Sequence, residues 1–407
     1  MRSKKNFRLV LIGLVISLFG SAIQRFSFSL YLLDISKDAA IFSNVMAISV
    51  LPYILFAPLA GSLADNKNKK HIMIVLDLLS FAVILFYILS QRFISNQVLL
   101  TAVIMFLLST ITTLYTPSVT TIIPQIVDKE GLVRANALIS QVGSASNLVG
   151  PVLAGILYGV WGIAGVTLIN AISFFGSAIL ELFIVYEHKK EKRSALSFRA
   201  SLVEMKESFY YLRRENKVTL HFIWSYGLYN ICLVPVLTIL MPFVIRNVYG
   251  VSPEGYGVIE GIIATGMIVG TLLITCKPIW FKVQKVHRWY YLMTVAVLVM
   301  MGGLMSGADV GVILLWTSAG FLIMMALGIG NVVTLSHTQH TVDQDYLGKT
   351  SAFSTAFATA TVPIGQMLFG WYMNVSDKML PLLVIVLLSN FAVTLFVRRT
   401  VCGIQSE

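Results

Sequence analysis

Residues 61–70, which read GSLADNKNKK, separate two long apolar runs. The first run ends in LPYILFAPLA at residues 51–60, and the second begins at His71. Within the polar stretch, Gly61 precedes Asp65 by four residues, and the pair Lys69–Lys70 closes it. A short basic turn between hydrophobic runs is typical of a loop that joins two membrane-spanning helices.

The composition places the whole chain among membrane proteins. Of its 407 residues, 57% are hydrophobic and 12% are charged, whereas soluble domains have about 45–50% and about 25%. The net charge of +11 would suit a nucleic-acid-binding protein, but the basic residues lie between apolar runs, which a membrane protein explains better. We therefore expect contact with a lipid bilayer and none with nucleic acid.

Apolar runs near the length of about 20 residues that a helix needs to cross a bilayer predict twelve spans. The predicted spans are residues 7–32, 41–65, 71–90, 98–124, 136–158, 163–186, 219–246, 255–276, 289–306, 310–338, 350–373 and 380–398. The stretch behind Met1 lacks a small-x-small cleavage site, and we expect it to be retained as the first span. This pattern predicts an all-α polytopic membrane protein.

The loops on the two sides of the predicted membrane differ in basic residues. One side carries 25 Lys and Arg residues and the other carries 4, while Arg25 lies inside a span. Because basic loops stay in the cytoplasm, both termini are predicted to be cytoplasmic.

The long polar segment 187–218 divides the chain into a first half, residues 1–186, and a second half, residues 219–407. It opens with a charge run at residues 187–193. Apolar residues then recur at helical spacing, namely Leu202, Met205, Phe209 and Leu212. The pattern predicts either an amphipathic helix on the inner membrane face or a cytoplasmic start to the seventh span.

A short repeat links the two halves. Residues 127–134 read VDKEGLVR and residues 342–349 read VDQDYLGK, and each precedes an Ala by three residues. Both lie before the second-last span of their half. This position favours duplication of a six-helix unit over a chance match.

Residues 61–70 resemble the loop signature of the major facilitator superfamily, Gly-x-x-x-Asp-Arg-x-Gly-Arg-Arg. Asn66 and Asn68 replace the first Arg and the second Gly, and lysines replace the Arg pair. Residues 51–77 and Tyr115-Thr116-Pro117 are similar to the macrolide-efflux branch of that family. The resemblance implies twelve transmembrane helices in two six-helix pseudo-repeats, with the substrate site at their interface.

The resemblance also implies a conformational-switch motif made of Gly61, Asp65, Lys69 and Lys70. In the family, the Asp of this signature reaches the start of the eleventh helix, here near Lys349, and holds the outward-open state. A helix N-terminus carries partial positive charge that favours a carboxylate. An ordinary polar loop residue is the alternative for Asp65.

Residues 146–155, SNLVGPVLAG, resemble the fifth-helix motif of the family's efflux members, Gly-x-x-x-Gly-Pro-x-x-Gly-Gly. Gly150, Pro151 and Gly155 keep the motif, while Ser146 and Ala154 replace two glycines. Proline bends a helix, and small residues let helices approach closely. The resemblance implies export, although tight packing alone would require similar residues.

Ionisable residues inside spans are costly and tend to be paired or functional. Asp77 is predicted to anchor the basic turn, and Glu181, near the inner end of the sixth span, is predicted to snorkel to the cytoplasm. Arg25 and Glu260 lie at similar depths. We predict either a coupling pair in which Glu260 exchanges a proton, or a static pair that fixes helix packing.

Three amides within spans are further candidates for coupling or substrate binding, namely Gln24, Asn230 and Gln366. Amides in such positions more often bond one helix to another.

The sequence contains no nucleotide-binding or catalytic motif. No carboxylate or Cys accompanies His337 and His340 in the sequence, so we expect no metal site there. We expect neither an enzyme nor a cofactor.

These features together predict a bacterial plasma-membrane secondary transporter that acts as a monomer. It would be a proton-coupled antiporter that exports amphipathic, macrolide-like small molecules by alternating access and confers drug resistance. A lysophospholipid or siderophore carrier of the same fold is one alternative. A transport-inactive membrane receptor or scaffold is another.

Overall fold

A computed structural model describes residues 2–185, 198–307, 309–376 and 378–403 of the chain. The charge run predicted at residues 187–193 lies outside the described residues. The described part is helical almost throughout and contains no strand. The α-helices are α1 (Arg2–Ser36), α2 (Ala39–Leu55), α3 (Ala57–Asn66), α4 (Lys69–Ser90), α5 (Gln97–Ile126), α6 (Leu132–Leu182), α7 (Phe198–Glu215), α8 (Lys217–Cys232), α9 (Met241–Phe243), α10 (Pro253–Cys276), α11 (Val286–Met305), α12 (Asp309–Thr341), α13 (Gln344–Val375) and α14 (Met379–Cys402).

These helices account for the twelve predicted spans. Ten helical segments of the described chain are long and apolar enough to cross a membrane. One of them, α6, contains the fifth and sixth predicted spans, and α2 with α3 makes the second. The prediction of an all-α polytopic protein is confirmed.

The fifth and sixth spans meet at Gly162, inside the continuous run of α6. Gly162 has φ 60° and ψ −169°, a conformation that only glycine adopts readily. The chain therefore reverses there without a separate loop.

Two other spans are interrupted near proline residues. The second span breaks at Phe56, and a proline occupies the first turn of α3, where its missing N–H leaves no helical bond unmade. The seventh span continues beyond α8 as π-helical turns at Val236–Leu240 and Val244–Val248. Pro235 and Pro242 lie at these turns and remove backbone donors.

Asparagine side chains cap the N-termini of three of the helices. Asn68 accepts a hydrogen bond from the backbone N–H of His71 at 3.3 Å, and Asn96 accepts one from Leu99 at 3.0 Å. Asn216 does the same for α8. Each satisfies one of the donors that a helix N-terminus leaves unpaired. The Asn found at position 68, where the family signature has Gly, therefore caps α4.

The chain forms two compact units by backbone contacts. Unit 1 comprises Met1–Lys37, Ile48–Ser201 and Ser252–Val258. Within it, α1 packs on α5 and α6, and α4 packs on the same two helices. Its core includes the buried side chains Val10, Leu14, Met73, Ile111, Ile122 and Ile123.

Unit 2 comprises Asp38–Ala47, Leu202–Val251 and Ile259–Glu407. Within it, α8 packs on α13 and α14, and α11 packs on α12 and α14. The indole of Trp316 is fully buried and donates to the Met300 carbonyl at 3.0 Å. The Asn390 amide donates to Thr294 Oγ1 at 2.9 Å. These bonds satisfy polar groups that lipid could not satisfy.

Candidate functional site

A small polar cavity lies inside unit 1. Its volume is about 70 Å³, well below the size of a drug-like ligand. Its polar lining consists of Ser21, Gln24, Arg25, Ser49, Tyr53, Ser109, Thr112 and Asn170. The lining combines hydroxyls, amides and one guanidinium, so this cavity alone suits one polar group of a larger molecule.

Gln24 and Asn170 are two buried residues of this lining. The Asn170 amide donates to Gln24 Oε1 at 3.0 Å. Gln24 Nε2 and Asn170 Oδ1 are buried with no hydrogen-bond partner among the described residues. One donor and one acceptor are therefore available to a ligand group or a water molecule.

Arg25 and Glu260 lie in different units. Arg25 is exposed and lines the cavity of unit 1. Glu260, in α10, is half-buried and belongs to unit 2. The proposed pair between them stays a prediction.

A larger cavity, about 480 Å³, lies inside unit 2. Tyr226 and Phe222 supply aromatic surface, and the Tyr226 hydroxyl bonds Thr334 Oγ1 at 2.9 Å. The other polar lining residues are Thr219, Asn331, Thr338, Thr350, Ser351, Ser354, Thr355 and Thr359. Hydroxyls alternating with aromatic and aliphatic surface suit an amphipathic ligand of drug size.

The sequence analysis missed this cavity, although a signal was present. Residues 350–359 of α13 read TSAFSTAFAT, which places Thr350 and Ser354, and likewise Ser351 and Thr355, four residues apart on a predicted span. Residues at i and i+4 lie on the same helical face. Repeated hydroxyls on one face of a membrane helix indicate a polar lining.

Asn230 and Gln366 join helices of unit 2. The Asn230 amide donates to the Ala358 carbonyl at 2.8 Å, and the Gln366 amide donates to Thr238 Oγ1 at 3.3 Å. Both bonds tie the seventh span to α13. Neither residue is among those that line the two cavities described above.

A buried acidic group occupies the interior of unit 1. Glu181 is 0% exposed and accepts a hydrogen bond from the Tyr115 hydroxyl at 2.8 Å. Asp77 is 1% exposed, and the Ser17 hydroxyl lies 3.5 Å from its Oδ1. The prediction that Glu181 snorkels to the cytoplasm is wrong, because its side chain turns inward to Tyr115.

The basic turn is bonded to the end of α6. Lys70 Nζ donates to the Leu182 carbonyl at 2.8 Å, at the end of α6. Asp77 has its described bonds to hydroxyls rather than to this turn. Its predicted role as the anchor of the basic turn stays a prediction.

The switch motif occupies the end of α3 and the start of α4. Gly61 and Asp65 are helical, in α3, and a Cβ added at Gly61 would meet nothing within 4 Å. Lys69 is 4% exposed at the first turn of α4. The Asp65 side chain lies outside the described part of the chain, so its role stays a prediction.

The fifth-helix motif lies at two close contacts within unit 1. A Cβ on Gly150 would lie 2.8 Å from the Ala22 Cβ of α1. A Cβ on Gly155 would lie 2.5 Å from the Pro253 carbonyl oxygen. Pro151 lies between these contacts, inside α6. Small residues are thus required at both positions by packing.

The linker helix α7 packs on the start of α13 within unit 2. Lys349 Nζ lies 2.8 Å from Glu207 Oε2, and the hydroxyls of Ser208 and Thr350 are 3.2 Å apart. The rings of Tyr211 and Tyr346 stack with centroids 4.1 Å apart. Desolvation raises the pKa of Tyr211, whose hydroxyl accepts the Asp343 N–H.

The apolar face of α7 therefore contacts protein. Leu212 is fully buried and packs in a cluster with Leu220, Ile223 and Val342. Phe209 joins the same cluster. In its described contacts, the apolar face of α7 packs against protein and not against lipid.

Comparison with known proteins agrees with the helical layout. The sequence profile of the Major Facilitator Superfamily matches residues 10–370. Macrolide efflux protein A of Streptococcus pyogenes is 25% identical over 374 residues, which cover 90% of this chain and 88% of that protein. The staphyloferrin A transporter of Staphylococcus aureus is 23% identical over 277 residues, 67% of each chain. The predicted resemblance to the macrolide-efflux branch is confirmed.

A solved structure supports the fold independently. The crystal structure of a bacterial homologue of the iron transporter ferroportin in an inward-facing state superposes with a TM-score of 0.76. It is 14% identical, and the alignment covers 97% of this chain and 98% of that one. At this identity the similarity shows the fold alone. Together with a profile match over most of the sequence, it means that the chain belongs to the Major Facilitator Superfamily.

Proposed function

We propose that this chain is a secondary active transporter that exports amphipathic small molecules across the bacterial plasma membrane. The observation that carries the proposal is the cavity of about 480 Å³ in unit 2. Its hydroxyls offer hydrogen bonds, while Phe222 and Tyr226 offer apolar surface. Similarity to macrolide efflux protein A along 90% of the chain supports the same class of substrate.

Alternating access moves the substrate in this proposal. Asp65 holds the outward-open state by approaching the N-terminus of α13, where the helix dipole favours a carboxylate. Lys349 already bonds Glu207 of α7. In this proposal the Lys349–Glu207 pair lies at the helix start that Asp65 approaches, so the linker helix biases the switch.

A proton gradient drives the export. Glu260 is one carboxylate that can exchange a proton. In this proposal Arg25 holds Glu260 ionised until a proton or a cationic substrate displaces it. A Glu260→Gln variant in proteoliposomes should lose proton-driven accumulation and keep substrate exchange. Accumulation by this variant under a proton gradient alone would rule out Glu260 as the coupling site.

The proposed orientation follows the distribution of basic residues. Both termini and the linker face the cytoplasm. The protein works as a monomer because each six-helix half contributes to one transport path.

A siderophore carrier is the second candidate. Arg25 lines the small cavity with its guanidinium, which suits a carboxylate of a substrate. The staphyloferrin A transporter is among the similar proteins. A lysophospholipid carrier would use the same combination of one polar group and apolar surface, and a scaffold would move no substrate at all.

Reconstitution separates these candidates. Purified protein in proteoliposomes would be given an imposed pH gradient and either radiolabelled erythromycin, a carboxylate siderophore or a lysophospholipid. We expect gradient-dependent movement of erythromycin, abolished by a protonophore. Movement of the siderophore or the lysophospholipid alone would select that candidate. No gradient-dependent flux of any of the three would favour the scaffold.

A further inference from the structure

Asp77 and Glu181 lie together in the interior of unit 1, on α4 and α6. Glu181 is close enough to Asp77 for the two charges to interact, and Tyr115 interacts electrostatically with both. The Ser17 hydroxyl contacts both Asp77 and Tyr115. The hydroxyls of Ser17 and Tyr115 therefore connect the two carboxyl groups. The apolar core of unit 1 surrounds this polar cluster.

Each carboxyl group keeps one oxygen without a partner. The Tyr115 hydroxyl donates a hydrogen bond to Glu181 Oε1 at 2.8 Å, and the Ser17 hydroxyl lies 3.5 Å from Asp77 Oδ1. Glu181 Oε2 and Asp77 Oδ2 are buried and have no hydrogen-bond partner among the described residues. Ser177, beside Asp77, donates to the Gly13 carbonyl at 3.3 Å. An ionised carboxylate normally fills such positions with donors.

No base within the described residues neutralises this pair. The only titratable residue of α5 is Tyr115, and residues 163–182 of α6 contain no base. On α1, Arg8 and Arg25 are each about two turns or more from Ser17, and both are exposed. On α4, Lys69, Lys70 and the exposed His71 lie about two turns before Asp77.

Lys70 is engaged elsewhere, because its Nζ bonds the Leu182 carbonyl. Lys69 has no described bond to either carboxyl group. The described hydrogen-bond partners of Asp77 and Glu181 are the hydroxyls of Ser17, Ser177 and Tyr115.

Two buried carboxylates close enough to interact are both ionised only at a high cost when no counter-charge is present. Burial penalises each charge, and their mutual repulsion adds to the penalty. At least one of the two groups therefore carries a proton in this conformation. The two unpartnered oxygens are the atoms on which it can reside.

We propose that Asp77 and Glu181 share one exchangeable proton and carry a coupling proton during transport. This inference rests on the proposed proton-driven export. It adds a proton-carrying pair inside the first half to the Glu260 carboxylate proposed above.

Release of the proton depends on hydration of the pair. The O–H bond at Glu181 Oε2 or Asp77 Oδ2 breaks, the proton passes to water, and the site gains one negative charge. That charge is tolerable only where water reaches the carboxylates. Release therefore requires a conformation that opens α1, α4, α5 or α6 to water, and this requirement links protonation to conformation.

The shared proton can be tested without transport. Infrared difference spectra of purified protein would be recorded while the pH is raised, and the band of protonated carboxyl groups followed. Wild-type protein should lose such a band. Glu181→Gln and Asp77→Asn should each lack or shift it, and Glu215→Gln, which removes an exposed carboxylate, should keep it. An unchanged band in both buried variants would overturn the proposal.

The coupling role is tested in proteoliposomes with the same four proteins. Glu181→Gln and Asp77→Asn should reduce accumulation under a proton gradient to the level of empty liposomes, while substrate counterflow persists. Glu215→Gln should transport as wild type does. Normal proton-driven accumulation by both buried variants, beside a working wild type, would overturn the inference and leave the proposed function standing.

Two further outcomes distinguish the ideas. If wild-type protein shows the titrating band but moves no substrate in response to a proton gradient, the proposed function fails and the coupling role falls with it. If Na⁺ at constant pH removes the band and drives transport, the pair binds a metal cation, and the proton proposal is overturned.

Discussion

Gly155 in α6 and Gly257 in α10 meet backbone to backbone. A Cβ built on Gly155 would lie 3.0 Å from the Gly257 Cα, and one built on Gly257 would lie 3.1 Å from the Gly155 Cα. The Cβ on Gly257 would also lie 2.7 Å from the Pro151 carbonyl oxygen. The fifth-helix motif thus packs against the segment Ser252–Val258, which belongs to the same compact unit.

Gly155→Ala should destabilise the protein. The new methyl would contact backbone atoms, which cannot move aside as a flexible side chain can, and such overpacking costs about 1–3 kcal/mol. Gly176→Ala is the matched control in the same helix, because its Cβ would meet nothing within 4 Å. We expect a lower Tm in detergent for Gly155→Ala and an equal or higher Tm for Gly176→Ala. Equal Tm values for Gly155→Ala and wild type would contradict the close contact.

Asp65→Asn should arrive in the membrane at normal abundance and lose most of its transport. The substitution keeps the size of the side chain and removes the charge proposed to meet α13. It should also bias the protein toward inward-open states, as measured by distance changes between paired spin labels. Asp128→Asn, an exposed residue of a neighbouring loop, serves as the control. Wild-type transport by Asp65→Asn would leave Asp65 as an ordinary polar residue.

Single cysteines should report the topology. In a cysteine-free background, thiols at Ser194 and Ser406 should react only with reagents that reach the cytoplasm, and a thiol at Ser95 only from outside, because basic loops stay inside. Ser194 and Ser406 lie outside the described residues. Labelling of Ser194 from the outside would overturn the twelve-span arrangement.

Packing rather than charge should anchor α7. Leu212 is 0% exposed, so Leu212→Ala should cost about 2–5 kcal/mol. The Lys349–Glu207 pair is partly exposed at both ends, so Glu207→Gln should lower stability less than Leu212→Ala does. Thermal unfolding in detergent measures both. A larger loss in Glu207→Gln than in Leu212→Ala would reverse this order.

The number of spans was predictable, because bilayer thickness fixes the length of apolar runs. The breaks inside the spans were less predictable. The reversal at Gly162 coincides with the predicted gap between residues 158 and 163. The break at Phe56 and the π-helical turns beyond Leu233 leave hydropathy unchanged, so an apolar run does not reveal them.

The side-chain chemistry was predictable only in part. The sequence identifies Asp77 and Glu181 as costly residues inside spans, but the distance from a helix end does not show which way a side chain turns. Tyr115 was singled out by its resemblance to a family segment, and its bond to Glu181 joins residues 66 positions apart. The amphipathic pattern of α7 predicts a helix with one apolar face, yet it does not distinguish lipid from protein as the partner of that face.

Proton movement measured during transport tests the central claim most directly. Proteoliposomes containing a pH-sensitive dye inside would receive substrate on one side with no imposed gradient, in the presence of an ionophore that clamps the membrane potential. The account predicts that substrate moving in one direction drives protons in the other, and that Glu181→Gln moves substrate without moving protons. Substrate flux in the wild type with no change of internal pH would contradict it.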